Sequence, residues 1–221
     1  MHMNGANAEI AYDLLEDRIA LYKYRPGMRL SPDQLSSDIH IGLTPTRTAL
    51  QWMHRDGLIE HRHGQGYYVK TPSTEECAGL YQGNKIQLVG ALAQAINPAA
   101  NNNNDNGTRE RQIPKSEDLE QTANARALTN ATARLFTEIA ALASSDIVMR
   151  TVQTINSRLR FIRLIEADVF EDANRELSDL HSLMIDKNYD ELRGSVSIYH
   201  DKRLAAVNEI VDASFARAFR Q

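Results

Sequence analysis

Apolar residues in the first third of the chain follow two different periods. Ile10, Leu14, Leu15, Ile19 and Leu21 recur at the three-to-four spacing of a helix, which predicts a helix that stops before Arg25-Pro26-Gly27. Ser31 followed by Pro32 has the cap-then-proline order of a helix start, so a short second helix is expected with Leu35 and Ile39 inward and its end near His40 to Gly42. A third helix is expected from Thr44-Pro45, burying Ala49, Leu50 and Met53 and stopping at Asp56-Gly57. Two short helices about a tight turn form a helix-turn-helix. From Leu58 to Val69 the pattern changes to β-prone runs around Gly64-Gln65-Gly66, which predicts a hairpin standing beside that motif as a wing.

Thr71-Pro72-Ser73 then interrupts the patterning and marks the expected boundary between domains 1–72 and 73–221. Beyond it every strong segment is helical, over about 74–95, 116–143, 146–167, 171–186 and 189–218, and an antiparallel bundle is the natural packing. The clearest stripe runs Val148, Val152, Ile155, Leu159, Ile162 and Val169. Asparagine, proline and glycine dominate 97–107 and leave nothing apolar to bury, so a mobile surface loop is expected over about 97–115 and no function is given to it. The predicted class is mainly α: a winged helix-turn-helix of three helices plus a β-hairpin, then an all-α bundle.

Composition narrows the context. The chain has 221 residues, 42% of them hydrophobic and 24% charged, with a mean hydropathy of -0.45. No apolar run approaches the roughly 20 residues of a membrane helix, so no membrane association is expected. The N-terminus has no signal-like apolar run and the single cysteine, Cys77, forms no internal disulfide, which together predict a reducing cytoplasm. With a net charge of -4 there is no global basic field, and any nucleic-acid binding has to use a local patch.

Such a patch exists. The N-terminal residues of the second helix of a helix-turn-helix reach base edges and phosphates, and here they are Thr44, Thr46, Arg47 and Thr48. Arg47 suits guanine or phosphate, and the threonine hydroxyls suit phosphate. His61, Arg62, His63 and Gln65 stand on the predicted wing, where they reach flanking backbone or the minor groove. The bland alternative is a solvated polar face. In the bundle, His200 lies in the apolar row Leu192, Val196, His200, Leu204, Val207 and Val211, either as a hydrogen-bonded core histidine or as a pocket donor to an organic anion. Asn156, Arg160 and Arg163 are further candidate donors, or else a solvated stripe. His200-Asp201 echoes metal-dependent phosphohydrolases without their other ligands, Cys77 has no partner arrangement, and no Gly-rich phosphate loop occurs, so no enzyme and no cofactor are expected.

Over residues 8–70 the chain resembles the winged helix-turn-helix of the GntR family of bacterial transcription regulators. The resemblance is carried by Tyr24-Arg25-Pro26-Gly27-Met28-Arg29-Leu30, Leu35-Ser36-Ser37-Asp38, Thr44-Pro45-Thr46-Arg47-Thr48-Ala49-Leu50, Asp56-Gly57-Leu58-Ile59 and Gly64-Gln65-Gly66-Tyr67-Tyr68-Val69. It implies a DNA-binding set of Arg29, Thr44, Thr46, Arg47, Thr48, Arg62, His63, Gly64 and Gln65. One departure stands out: His40-Ile41-Gly42-Leu43 replaces the family's usual Gly-Val-Ser-Arg, whose serine and arginine commonly contact DNA. Residues 75–215 are similar to the FadR-type ligand-binding domain called FCD, in which an aspartate and three histidines often hold a metal. Those positions fall on Ala133, Thr137, Ser178 and His200, and a shifted alignment recruits only His181, so the metal site is degenerate and no metal is expected.

These readings together imply a homodimeric regulator that binds an inverted-repeat operator in double-stranded DNA. The expected role is a ligand-responsive repressor of a catabolic operon, with an organic acid or aromatic metabolite bound by His200, Asn156, Arg160 and Arg163. The alternative is a DNA-binding dimer whose helical domain has lost sensing and only dimerises or binds a protein partner.

Overall fold

The computed structural model describes residues 3–97 and 125–220. The asparagine-rich tract beyond Asn97, and the start of the helix expected at 116, lie outside the described residues. The first domain contains α1 (Met3–Ala20), β1 (Arg29–Leu30), α2 (Pro32–Ile39), α3 (Leu43–Arg55), β2 (Ile59–Arg62) and β3 (Gly66–Val69). The second contains α4 (Thr74–Ile96), α5 (Ala125–Ala141), α6 (Asp146–Val169), α7 (Ala173–Ile185), α8 (Tyr189–Ala205) and α9 (Val207–Arg220).

In the first domain Ala11, Leu15, Leu35, Ile39, Ala49, Leu50 and Met53 pack with Ile59, Val69 and Leu30 into one core. The buried stripe of α1 differs from the expected one. Ala8 and Ala11 are buried with Leu15, while Ile10 is 51% and Leu14 38% exposed. Small alanines let α1 approach α3 closely, and that outweighs the burial of the larger side chains one position away.

Ser31 and Pro32 begin α2 as expected, although the Ser31 side chain makes no cap bond. The third helix starts earlier than expected, with Gly42 as N-cap and Leu43 as the first helical residue. The wing is also larger than a hairpin. The two-residue β1 joins its edge in the antiparallel order β1-β3-β2, pairing Arg29 with Tyr68 and Leu30 with Tyr67. A strand that short leaves no alternating pattern to read.

Ser73 caps α4 by accepting from the Glu76 N–H, and Ser145 caps α6 in the same way from Val148. The helix expected over 189–218 is two helices, broken at Ala206 (φ -100, ψ 9). The buried series Leu192, Val196, His200, Arg203, Val207, Ile210, Val211 and Ser214 keeps helical spacing across the break, so the pattern alone does not expose it.

The turn between α2 and α3 is closed at His40, which adopts the left-handed conformation (φ 55), with its N–H on the Ser37 carbonyl and the Ile41 N–H on that of Ser36. This is a Schellman-type stop, where glycine is the usual residue. A left-handed non-glycine residue costs about 1–2 kcal/mol, partly offset by the extra unfolded-state freedom of glycine. His40→Gly is therefore expected to stabilise the protein by about 0.5–1 kcal/mol, read as a raised denaturant midpoint at unchanged slope.

Candidate nucleic-acid interface and buried polar cluster

Thr44 and Arg47 are exposed on the first turns of α3. Among the described residues Arg47 has no acidic partner, so its guanidinium is available to guanine or phosphate. Gln51 is exposed one turn further along the same side and belongs with them. Its position four residues after Arg47, and the fit of glutamine to adenine, were the signals for it.

Thr46 does not belong there. It is fully buried, and its hydroxyl donates to the carbonyls of Gly42 (3.0 Å) and Ile41 (3.4 Å), tying α3 to the turn before it. Standing three, four and seven residues before Ala49, Leu50 and Met53, position 46 lies on the core side of α3. Thr48 is half-buried and donates to the Thr44 carbonyl at 3.2 Å, so its hydroxyl must turn away from that bond to donate to phosphate.

On the wing, the pairing register puts Arg29, Tyr68, Glu60 and Arg62 on one face. Arg62 lies over the Tyr68 ring at 4.1 Å and bonds Glu60 at 3.2 Å, which holds it extended along the strand. Arg29 reaches towards Gly66 from the other edge. His63, Gly64 and Gln65 form the exposed tip, where the Gln65 N–H closes on the Arg62 carbonyl and Gly64 takes φ +72. The opposite face is anchored to α3. His54, His61 and Tyr67 stack with ring centres 4.8–6.4 Å apart, and His54 Nδ1 lies 3.3 Å from the Ile59 carbonyl. Recognition helix and wing therefore move as one body.

The effector candidates separate onto two sides of α6. Asn156 and Arg163 face the bundle interior, where the Arg163 guanidinium donates to Asn156 Oδ1 at 2.8 Å and lies over the Phe136 ring at 5.2 Å. The Arg163 Nε and Nη2 are buried without a partner, as are Asn84 of α4 and His200 Nε2. Arg160 instead turns to the first domain and pairs with Glu16 and Asp17 of α1. The helical repeat places 160 about 40° from 156 and about 60° from 163, on the flank of that face that lies next to α1.

His200 is fully buried and stacks on Phe136 at 5.3 Å, with Nδ1 2.7 Å from the Val196 carbonyl. A carbonyl only accepts, so Nδ1 carries the hydrogen. Burial lowers the His200 pKa to about 4; the Arg163 and Arg203 cations act in the same direction, while the Val196 bond and Glu166 oppose it. The ring is therefore neutral at pH 7 and presents a lone pair at Nε2, which corrects the expected donor to an acceptor.

Sequence reasoning missed the charged centre beside it. Glu166 accepts from Tyr81 (2.7 Å), Tyr199 (3.0 Å) and Arg203 (2.9 Å), and Arg203 also bonds Glu176 (2.7 Å). Burial alone would raise the Glu166 pKa, but the Arg203 and Arg163 guanidiniums outweigh it and hold the carboxyl below its usual range. Its place three residues after Arg163, and that of Arg203 three after His200, were the available signals.

The positions of an FCD-type metal set do not fit a metal here. Asn156 donates to the Ala133 carbonyl (3.1 Å) and the Thr137 hydroxyl (3.4 Å), Ser178 is exposed, and His181 has the Arg134 cation acting on it. Among the described residues no group of three His, Cys, Asp or Glu side chains is placed to hold an ion. No helix among them is long and apolar enough to cross a membrane.

A helix-turn-helix with its second helix exposed and a wing fixed beside it defines the DNA-binding class of this domain. Residues 7–69 match the family described as bacterial regulatory proteins, gntR family. The N-terminal domain is of that family's DNA-binding type, and over most of its length the chain is similar to transcription regulators. Over 194 residues it is 22% identical to the Nta operon transcriptional regulator of Aminobacter aminovorans, covering 86% of this chain and 89% of that protein. In fold it is similar to a GntR transcriptional regulator of Rhodococcus sp. RHA1 (TM-score 0.63, 18% identity, 92% of this chain and 98% of that one). It is likewise similar to E. coli McbR/YncC (TM-score 0.61, 12% identity, 92% and 97%).

The buried histidine makes stability pH-dependent with a definite sign. A folded-state pKa near 4 against about 6.5 unfolded means that its contribution is complete above pH 6.5 and is lost as pH falls towards 4. Chemical denaturation at pH 6.5 and 4.5 is expected to lose about 2 kcal/mol more in the wild type than in His200→Phe. Equal losses in the two proteins would remove His200 from the account.

Proposed function

We propose that the protein is a homodimeric, ligand-responsive repressor acting in the cytoplasm on an inverted-repeat operator, with a small organic acid or aromatic metabolite as effector. On this reading the first domain holds DNA through Thr44, Arg47 and Gln51 on α3 and Arg29, Arg62, His63, Gly64 and Gln65 on the wing. The helical domain dimerises, resembles the FCD type without its metal, and senses the effector.

The observation that carries the sensing role is Arg163, a guanidinium only 2% exposed with two nitrogens unpartnered. A buried cation with unused donors is costly unless something binds it, and a carboxylate matches it bidentately. The neutral Nε2 of His200 adds an acceptor, which favours an effector that also carries a hydroxyl. The Aminobacter relative is a transcriptional regulator of an operon, which supports the regulatory part of this reading.

A second reading keeps DNA binding without sensing. It is favoured by the void beside Arg163 and Glu166, about 10 Å³, which is room for one water. An effector there requires the helices to part.

Selection of genomic fragments by the purified protein, then footprinting at fixed salt with and without candidate metabolites, tests the reading. A protected inverted repeat released by one metabolite is expected; a repeat indifferent to all of them establishes the second reading. Arg47→Ala is expected to weaken operator binding by about 1–3 kcal/mol in a gel shift, and unchanged affinity would remove Arg47 from the base-reading set. Arg163→Met, which keeps the length and removes the cation, is expected to leave operator affinity within about threefold while abolishing release by the metabolite.

A further inference from the structure

We propose that the seam between the DNA-binding domain and the helical bundle is a binding site for a small neutral aromatic molecule bearing a hydrogen-bond acceptor. It is separate from the polar cluster inside the bundle.

The seam encloses a cavity of about 40 Å³. Tyr24, Met53 and Leu58 bound it from the first domain, and Leu80 of α4 and Phe161 of α6 from the second. Tyr22 bridges the two: it leaves α1 in the left-handed conformation (φ 58), packs edge-on against Phe161 at 6.3 Å and donates its hydroxyl to the Phe161 carbonyl at 3.4 Å. Flat rings and a thioether on facing walls suit a planar apolar guest.

Charge at the rim selects against ions. The Glu76 carboxylate already holds Lys70 and Arg158, and Glu16 holds Arg160. Among the described residues that line the cavity, one donor is buried without a partner, Arg158 Nε. A carbonyl or ether oxygen on the guest satisfies it, and a plain hydrocarbon leaves it unsatisfied.

The guest needs more room than the closed seam offers, since an apolar cavity of roughly 150 Å³ holds benzene. Members of both hydrophobic clusters line the cavity, Tyr22 and Leu80 of one and Tyr24 and Met53 of the other, so widening it parts the two cores along the line where they meet. The connections that must adjust are the Tyr22–Phe161 contact and partly solvated ion pairs from Arg160 and Arg126 to Asp17 and from Arg158 to Glu76, pairs of a kind that exchange readily with water. A guest in the seam displaces the DNA-binding domain relative to the bundle, and with it the two reading heads of a dimer.

The test uses the full chain with acetophenone and, as the isostere without an acceptor, ethylbenzene. Calorimetry and thermal melting are expected to show saturable acetophenone binding, with ethylbenzene about fivefold or more weaker. Leu80→Phe, which fills the cavity, is expected to weaken acetophenone about tenfold or more; Ala20→Leu fills it from the other wall if that variant does not fold. Arg158→Lys keeps the charge beside Glu76, lacks Nε–H, and is expected to erase the preference for acetophenone. His200→Phe is expected to bind acetophenone as the wild type does, which separates this site from the effector cluster. Operator affinity is expected to change about threefold or more at saturation. No saturable binding, binding undiminished in both filling variants, dependence on His200 instead, or an unaltered operator affinity each overturns the proposal.

Discussion

The helical domain depends on one buried carboxylate. Glu166 sits on α6 and is reached by Tyr81 from α4 and by Tyr199 and Arg203 from α8, while Arg203 carries the link on to Glu176 of α7. Side chains at Glu166 and Arg203 are 4% and 1% exposed, so neither charge has water to fall back on. Leaving either unpaired costs about 3–5 kcal/mol, which is a large part of the stability of an ordinary domain. Hydrophobic burial supplies most of the driving force for the bundle, but it tolerates sliding. A carboxylate with three donors from two other helices does not, and it fixes the register at which α4, α6 and α8 meet.

The same centre orders the interior of the helical domain with charged and polar side chains alone among the described residues. Where the FCD resemblance would place an aspartate and a histidine, Ala133 offers a carbonyl and Thr137 a hydroxyl, and both accept from Asn156. Asn156 in turn accepts from Arg163. Guanidinium and carboxylate groups therefore do the orienting that a cation and imidazoles do in such a site. The buried positive charge makes a further cation unwelcome: His200 is kept neutral by burial first, with Arg163 and Arg203 adding to the effect.

Much of the fold was legible because local signals and packing agree. Pro32 after Ser31, the stop near His40, and the Gly64-Gln65-Gly66 turn mark the reading head at its true places. The misses came where packing decides. The start of α3 shifted by a residue because Gly42 caps it, and Thr46 is buried because it shares the face of Ala49, Leu50 and Met53. Arg160 and Arg163 look alike in sequence, and only the neighbours of α6 separate an ion pair with α1 from a buried donor in the bundle. Glu166 and Arg203 are not singled out by the sequence, since a period shows which face a residue shares and not whether a partner of opposite charge waits across the core.

Helix α6 joins these two worlds. One side carries Asn156, Arg163 and Glu166 into the polar interior; another carries Arg158, Arg160 and Phe161 against the DNA-binding domain. A helix is stiff along its axis, so a displacement produced on one side reaches the other without being absorbed between them. The contacts on the domain side are of two kinds. Gly57, at φ +77 with a Cβ position 3.3 Å from Arg158, allows the backbone after α3 to lie directly on that side chain. Tyr22 spends left-handed strain to place its ring on Phe161. While the seam is closed, both contacts pass a shift of α6 on to the backbone beside α3, one as a close steric contact and the other as a hydrogen-bonded ring. In that closed state a movement of α6 reaches the recognition helix, and the wing follows through His54, His61 and Tyr67.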